Sequence, residues 1–297
     1  MRFPFWSPHP SCRQQVMARN LPQELTDIII GNLHGDRRTL RTCSLVCRSW
    51  LPTSYQHLFR RVELWPPNSY YARSIRKAFP HCQRLYSILL NSPHVANYIQ
   101  ELKVYEGQIV NHEHWIGTDQ TLPLVLRSLT NLKRIEFTRL LWNDLPLDLR
   151  RSICGVLELP SLTVIEIEDS RFACMHDFLS ILRHAGGQTG LSLSNIHTSY
   201  YGNRCRVEEE EERLDSHQQQ RSLDNLRLGL DQYSIFINWL LAPQSPSDVS
   251  HIHTLHILNS YRQSDAKVIN RLLHAIGHSL SHFQIHAPYG KLWSEYP

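Results

Sequence analysis

The sequence predicts a mixed α/β chain in two parts: three short helices, then strand-helix units that recur along the rest of the 297 residues. Three observations carry this. Leu21 to Leu64 sets apolar residues at helical spacing, an apolar-x-x-apolar-x-apolar pattern returns every 26 to 35 residues from Ile99 onward, and the residues between those apolar positions are polar.

The first helix follows Asn20 and holds Pro22 at an early position, where a missing N–H is tolerated. It sets Leu21, Leu25, Ile28, Ile29 and Leu33 on one face. A second helix is expected from Asp36, whose carboxylate suits an N-cap, through Leu40, Cys43, Cys47 and Trp50, with Pro52 as its stop. Leu45 and Val46 fall off that stripe, so this helix is apolar on more than one side, and a helix apolar beyond its core face usually meets a partner.

These residues, Leu21-Pro22, Glu24-Leu25, Ile29, Leu33, Leu40, Leu45-Val46-Cys47-Arg48, Trp50 and Leu58-Phe59, together resemble an F-box. The resemblance covers about 45 of 297 residues; the loop from Leu33 to Leu40 is slightly longer than the common form, and Phe59 stands where many members have Trp. It implies that the segment binds the Skp-type adaptor of an SCF cullin-RING ubiquitin ligase through Leu21, Pro22, Leu25, Ile29, Leu33, Leu40, Leu45, Val46, Cys47 and Trp50. It further implies that the rest of the chain recruits a protein substrate of unknown identity and catalyses nothing itself. Trp50 also suits a purely internal role as the keystone of the three helices.

The repeats begin beyond a turn at Trp65-Pro66-Pro67. Their middle apolar residues are Leu102, Ile135, Ile165, Leu191, Leu226, Leu255 and Phe283, each followed two residues later by Val104, Phe137, Ile167, Leu193, Leu228, Ile257 and Ile285. Helical stretches are expected between them at Leu122–Leu129, Asp148–Leu157, Phe178–His184, Ile235–Leu241 and Val268–Ser279. This period suits a leucine-rich-repeat solenoid or a closed parallel barrel. A barrel strand is apolar on both faces, whereas here Glu101, Lys103, Arg134, Glu136, Glu166, Glu168, Asn225, Arg227, Thr254 and His256 alternate with the apolar positions, which favours an open sheet with one wet face.

Three residues after the last strand position stand Gly107, Leu140, Ser170, Ile196, Asp231, Ser260 and Pro288, where regular leucine-rich repeats keep Asn or Cys. The resemblance is therefore to the irregular repeats that often follow an F-box. The expected organisation is a flexible segment at 1–18, the F-box at 19–64, a linker and helical connection at 65–98, and an irregular leucine-rich-repeat-like solenoid at 99–297 with an acidic loop, VEEEEERLDSHQQQ, at 207–220. The target-reading residues are expected on the wet face: Lys103, Tyr105, Arg134, Glu136, Glu166, Glu168, Arg227 and His256, a set of mixed charge.

Composition narrows the partners. The net charge of +4 divides into 12 Lys/Arg against 4 Asp/Glu over residues 1–80 and 19 against 23 over the rest, so the basic part coincides with the docking helices and suits an acidic protein partner. No nucleic-acid readout motif accompanies these arginines, and no run of apolar residues reaches the length of a membrane span. The start MRFPFWSPHPSC lacks the continuous apolar core of a signal peptide, and the seven scattered cysteines fit free thiols in a reducing compartment, so an intracellular location, cytoplasmic or nuclear, is expected.

Catalytic and metal chemistry have weak support. His112-x-His114, His251-x-His253-x-x-His256 and the series His274, His278, His282, His286 lack completing Cys, Asp or Glu ligands, and His176-Asp177 alone is uninformative. Cys43 and Cys47 sit on an apolar face, where unreactive thiols are common. No cofactor, metal or catalytic residue is expected. Two alternatives stay open: an F-box scaffold acting outside a ubiquitin ligase, and a metal-dependent barrel hydrolase.

Overall fold

A computed structural model describes residues 22–66, 82–107, 114–185, 189–198, 221–258 and 263–286. The expectations for 1–18, Leu21, His112 and the acidic loop at 207–220 lie outside these residues. The chain divides into two compact units that meet in sequence between Arg60 and Arg61.

The first unit holds three helices, α1 (Gln23–Gly31), α2 (Arg37–Cys43) and α3 (Leu51–Phe59). Pro22 precedes α1, and its carbonyl accepts the N–H groups of Leu25 and Thr26 at 3.1 and 3.2 Å. Asp36 caps α2 as its residue type suggests, its Oδ1 accepting from Arg38 and Thr39 N–H at 3.0 Å each. The second helix ends earlier than its apolar spacing implies. Cys43 is its last residue, Ser44–Trp50 form turns, and Pro52 lies in the first turn of α3, where it starts a helix rather than stopping one.

Ile30, Leu40 and Leu58 form the buried centre of this unit, with Leu33, Trp50, Tyr55 and Phe59 packed around them. Two polar contacts tie the helices together: Thr53 donates to the Asp27 carboxylate, and the Arg37 guanidinium donates to the Leu58 carbonyl at 2.8 Å.

The second unit is built on a nine-stranded sheet. Its strands are β1 (Arg61–Leu64), β2 (Glu101–Tyr105), β3 (Arg134–Thr138), β4 (Val164–Glu168), β5 (Arg171–Phe172), β6 (Gly190–Thr198), β8 (Asn225–Leu230), β10 (Thr254–Leu258) and β11 (His282–His286). A separate two-stranded pair joins β7 (Arg221–Ser222) to β9 (Ser247–Asp248). All pairings are parallel, and the strands follow one another in chain order, with β5 attached to β6 off the main path. Arg61–Leu64, assigned from the sequence to the helical module, is therefore the first strand of the sheet; it pairs with Glu101–Val104.

The repeat spacing and the register coincide. Val62, Leu102, Ile135, Ile165, Leu191, Leu226, Leu255 and Phe283 are partners in one continuous row, and Leu64, Val104, Phe137, Ile167, Leu193, Leu228, Ile257 and Ile285 make the next. From β1 to β10 every one of these side chains is buried. Buried apolar stripes on the connecting helices complete this core, for example Leu149, Ile153 and Val156 of Leu147–Leu157, and Phe236, Ile237 and Leu240 of Tyr233–Leu240. Further connections carry the helices Leu122–Ser128, Met175–Arg183 and Gln263–Ile276, which overlap stretches read from sequence, and Cys82–Asn91, which falls in the segment expected only as a linker and helical connection.

Three strands carry the same unusual backbone conformation, two of them at their ends and β6 at an irregularity inside the strand. Arg139, Asp169 and Asn195, which directly follow the register partners Thr138, Glu168 and Ser194, have φ of 63°, 50° and 53°. None is glycine, the residue that adopts this left-handed conformation without cost. The turns are stitched together instead: Arg139 N–H donates to the Glu168 carbonyl and Asp169 N–H to the Ser194 carbonyl, each at 2.8 Å, and the Arg139 guanidinium reaches the Asp169 carboxylate at 2.8 Å.

Two of the positions where the repeat pattern lacks Asn or Cys supply cross-links of their own. The Ser170 hydroxyl accepts Leu140 N–H at 3.0 Å, and the Asp231 carboxylate accepts Thr198 N–H at 2.7 Å.

Candidate functional site

Most of the apolar residues of α1 that share a helix face in the sequence are on the outside. Leu25, Ile28 and Ile29 are 47%, 61% and 46% exposed, while the buried residues of this helix are Thr26 and Ile30. Leu45 and Val46, in the turn after α2, are 71% and 54% exposed. Leaving about half of each of these side chains in water forfeits on the order of 1 kcal/mol each relative to full burial.

The ten residues expected to touch an adaptor separate by environment. Pro22, Leu25, Ile29, Leu45 and Val46 are exposed; Leu33, Cys47 and Trp50 are half-buried; Leu40 is fully buried in the centre and is not available for contact; Leu21 lies outside the described residues. Trp50 packs on the core, and its indole N–H is buried without a hydrogen-bond partner among the described residues. Ile28 is more exposed than Leu25 or Ile29. Its place on the same helical stripe was the available signal.

On the sheet, the eight residues expected to read a target lie on the face opposite the core, because each alternates with a buried strand residue and the strands are in register. The structure then divides them. In β2 to β4 opposite charges engage one another: the Lys103 ammonium contacts the Glu136 carboxylate, and Arg134 reaches Glu166 at 2.7 Å. Tyr105 is covered on one side by Trp65, edge-on with ring centroids 4.6 Å apart, and on another by the Arg139 guanidinium at 5.9 Å. Glu168 is exposed.

The later strands differ. On the same face, β6 to β11 present Ser192, Asn225, Arg227, Thr254, His256, His282, Gln284 and His286, with no carboxylate among these positions. The rings of His256 and His282 lie 6.4 Å apart. Burial, with Arg227, His282 and His286 nearby, pushes the His256 imidazole below its usual range.

Beside β2 lies a buried titratable group that sequence reasoning missed. Glu106 follows β2, and burial pushes its carboxyl up to about 7. Its Oε2 accepts Ile116 N–H at 3.1 Å, while Oε1 has no hydrogen-bond partner among the described residues and lies 3.7 Å from His114 Nδ1. Two thiols are similarly insulated: burial pushes Cys82 up to about 12 and Cys154 up to about 11, far from the thiolate form that nucleophilic or ligand chemistry requires, whereas in half-buried Cys47 desolvation is outweighed by hydrogen bonds from Ser49 and the Trp50 backbone, which lower the thiol.

Among the described residues, no group of three or more His, Cys, Asp or Glu side chains is placed to hold a metal ion, and no helix is long and apolar enough to cross a membrane. His251, His253 and His256 are separated by the strand start: His253 precedes β10 and His256 lies within it. No protein-family model matches the chain, and no curated protein matches its sequence.

Proposed function

We propose that the chain is a non-catalytic substrate receptor of a cullin-RING ubiquitin ligase. In this reading the helices of residues 22–60 are an F-box that docks a Skp-type adaptor, and the sheet unit is an irregular leucine-rich-repeat-like solenoid whose polar face holds a protein target. The function is proximity: the target's lysines are kept near activated ubiquitin carried by other subunits.

The observation that carries the proposal is the exposed set Leu25, Ile28, Ile29, Leu45 and Val46. A small helical unit whose described residues centre on Ile30, Leu40 and Leu58, with Cys43 also buried, while five apolar side chains stay largely in water, has the surface of half an interface. Pro22, Leu25, Ile29, Leu45 and Val46 are also residues to which the F-box resemblance assigns adaptor contact. Covering the exposed half of five such side chains, at roughly 1.5–3 kcal/mol for each full burial, gives on the order of 5 kcal/mol, from which association removes about 4–15 kcal/mol, so further contacts are needed for tight binding.

The test is co-purification with a Skp-type adaptor, comparing the wild-type chain with a double variant Ile29→Asp, Leu45→Asp. Both positions are exposed, so the variant is expected to keep the wild-type circular dichroism while losing stoichiometric adaptor binding. Absence of adaptor binding by a well-folded wild-type chain overturns the receptor reading. Adaptor binding without cullin in the complex favours a scaffold working outside a ligase.

A further inference from the structure

The chain has five lysines among its 31 Lys and Arg residues, Lys77, Lys103, Lys133, Lys267 and Lys291, and none in the stretch from Met1 to Arg76. The helical unit, Met1–Arg60, therefore carries no side-chain amine, and its permanent positive charge rests on arginine alone.

Arginine differs from lysine in packing and hydrogen bonding where its planar fork is used, and some residues use it. Arg37 donates to the Leu58 carbonyl, Arg139 to Asp169 and the Gly107 carbonyl, and Arg150 to the carbonyls of Asn143 and Leu145. Others do not. Arg38, Arg48, Arg84, Arg151, Arg171 and Arg183 are exposed, and their guanidinium groups make no hydrogen bond or ion pair with the described residues. At such positions lysine does the same physical work, since either side chain keeps one full positive charge in water. Their reactivity separates them: an ammonium can lose a proton to become a nucleophilic amine, whereas the guanidinium stays protonated.

The lysines that remain are unequal. The Lys103 ammonium is engaged by the Glu136 carboxylate, so its nitrogen is already occupied. Lys133, just before β3, and Lys267, in the helix Gln263–Ile276, are exposed, and their side chains make no hydrogen bond or ion pair with the described residues. Lys77 and Lys291 lie outside the described residues.

We propose that this scarcity of lysine keeps the chain from receiving the ubiquitin it directs to a target, and that among the described lysines the remaining self-modification falls on Lys133 and Lys267. The inference rests on the receptor reading. Ubiquitin arrives as a thioester on another subunit. A lysine amine attacks the thioester carbonyl, the C–N isopeptide bond forms as the C–S bond breaks, and the departing thiolate takes up the proton that the amine releases. A receptor stays beside that thioester throughout its assembly, at an effective concentration like that of its target, so every free amine on it competes for transfer. Guanidinium keeps the charge that attracts an acidic partner and removes the competitor.

The experiment assembles the full chain with a Skp-type adaptor, a cullin-RING core and activated ubiquitin, without a target. Ubiquitin on the chain is read by mass shift, its sites by mass spectrometry, and discharge to free lysine in solution confirms that each assembly is active. The sixfold variant Arg38→Lys, Arg48→Lys, Arg84→Lys, Arg151→Lys, Arg171→Lys, Arg183→Lys keeps every charge. It is expected to match the wild type in circular dichroism and adaptor co-purification, and to gain about fivefold or more self-modification at the substituted positions. In the wild-type background, Lys133→Arg with Lys267→Arg is expected to lower the residual signal by about half or more, and Lys103→Arg to leave it unchanged.

Equal self-modification of the wild type and the sixfold variant, both bound to adaptor, overturns the proposal alone and makes arginine a neutral choice at these positions. Residual modification concentrated on Lys103 overturns the assignment to Lys133 and Lys267. A well-folded wild-type chain that binds no adaptor overturns this proposal together with the receptor reading, so the two failures are told apart by the co-purification.

Discussion

The helical unit and the sheet unit treat apolar side chains in opposite ways. Between β1 and β10 the sheet buries two continuous rows, from Val62 to Leu255 and from Leu64 to Ile257. The helices of residues 22–60 bury Ile30, Leu40 and Leu58 and leave Leu25, Ile28, Ile29, Leu45 and Val46 outside. The sheet demonstrates that this chain covers apolar surface where its own elements can reach it. The covering stops at the outer stripe of α1 with Leu45 and Val46, at strand β11, and at single positions on the connecting helices such as Leu90, Leu147 and Ile235.

The sharpest way to break this comparison is to truncate matched residues on the two kinds of surface. Leu40→Ala in the helical unit and Leu255→Ala in the sheet are each expected to cost about 2–5 kcal/mol in chemical denaturation, because each empties a fully buried site. Ile28→Ala and Leu45→Ala are expected to stay within about 0.5 kcal/mol of wild type. A large loss at Ile28 or Leu45 would mean that those residues pack internally, and the contrast between the units would fail.

A smaller effect separates the sheet's core from its margin through Glu106. Its carboxyl titrates near 7 in the folded chain against about 4.5 when unfolded, so the folded state binds the extra proton between those values. Stability from this group is greatest below about pH 4.5 and is lost as pH rises through about 7, by up to about 3 kcal/mol. Glu106→Gln keeps an acceptor for Ile116 N–H and removes the buried charge. At pH 8 the variant is expected to melt above wild type, with the difference vanishing toward pH 5; a difference that does not change with pH would show that Glu106 is solvated.

The smallest effect is expected on the polar face. Arg134 and Glu166 are partly solvated, so Arg134→Ala is expected to change stability by less than about 1 kcal/mol in the same denaturation experiment. A larger loss would mean that the charge pairs of β2 to β4 hold the sheet together rather than lie on its surface.

Much of the sheet could be read in advance because period-two alternation is a local signal, and Leu102 through Phe283 turned out to be register partners at the spacing the sequence shows. β1 was missed because Arg61-Val62-Glu63-Leu64 follows directly on a helical pattern and is only four residues long. β5, β7 and β9 have two residues each, too few to show any period. The end of α2 was misplaced because Cys47 and Trp50 continue its spacing through a turn, and spacing cannot distinguish a helix from a chain that bends while keeping its apolar residues inward.

The two faces of α1 posed a different problem. Ile30 lies beside Ile28 and Ile29 in sequence, and only packing decides which of them is covered; the buried side even includes Thr26, while the more apolar side is left out. The histidine-rich, carboxylate-free polar face of β8 to β11 was hidden for a similar reason. Histidines 256, 282 and 286 are scattered in sequence and come onto one face only when the strands register.

The stacked left-handed turns have a consequence for how this chain can vary over evolution. Arg139 and Asp169 occupy strained backbone positions that each tolerate because of what the neighbouring unit supplies: a carbonyl from Glu168 or Ser194, and, for Arg139, a carboxylate from Asp169. The units are therefore not interchangeable beads. Excising the stretch that carries β4 would set Arg139 against Asn195 and remove its counterion, and duplicating it would set a second aspartate where Asn195 now stands. Such a chain can drift residue by residue, but lengthening or shortening by whole units, the ordinary freedom of repeat proteins, is restricted in this part of the sheet.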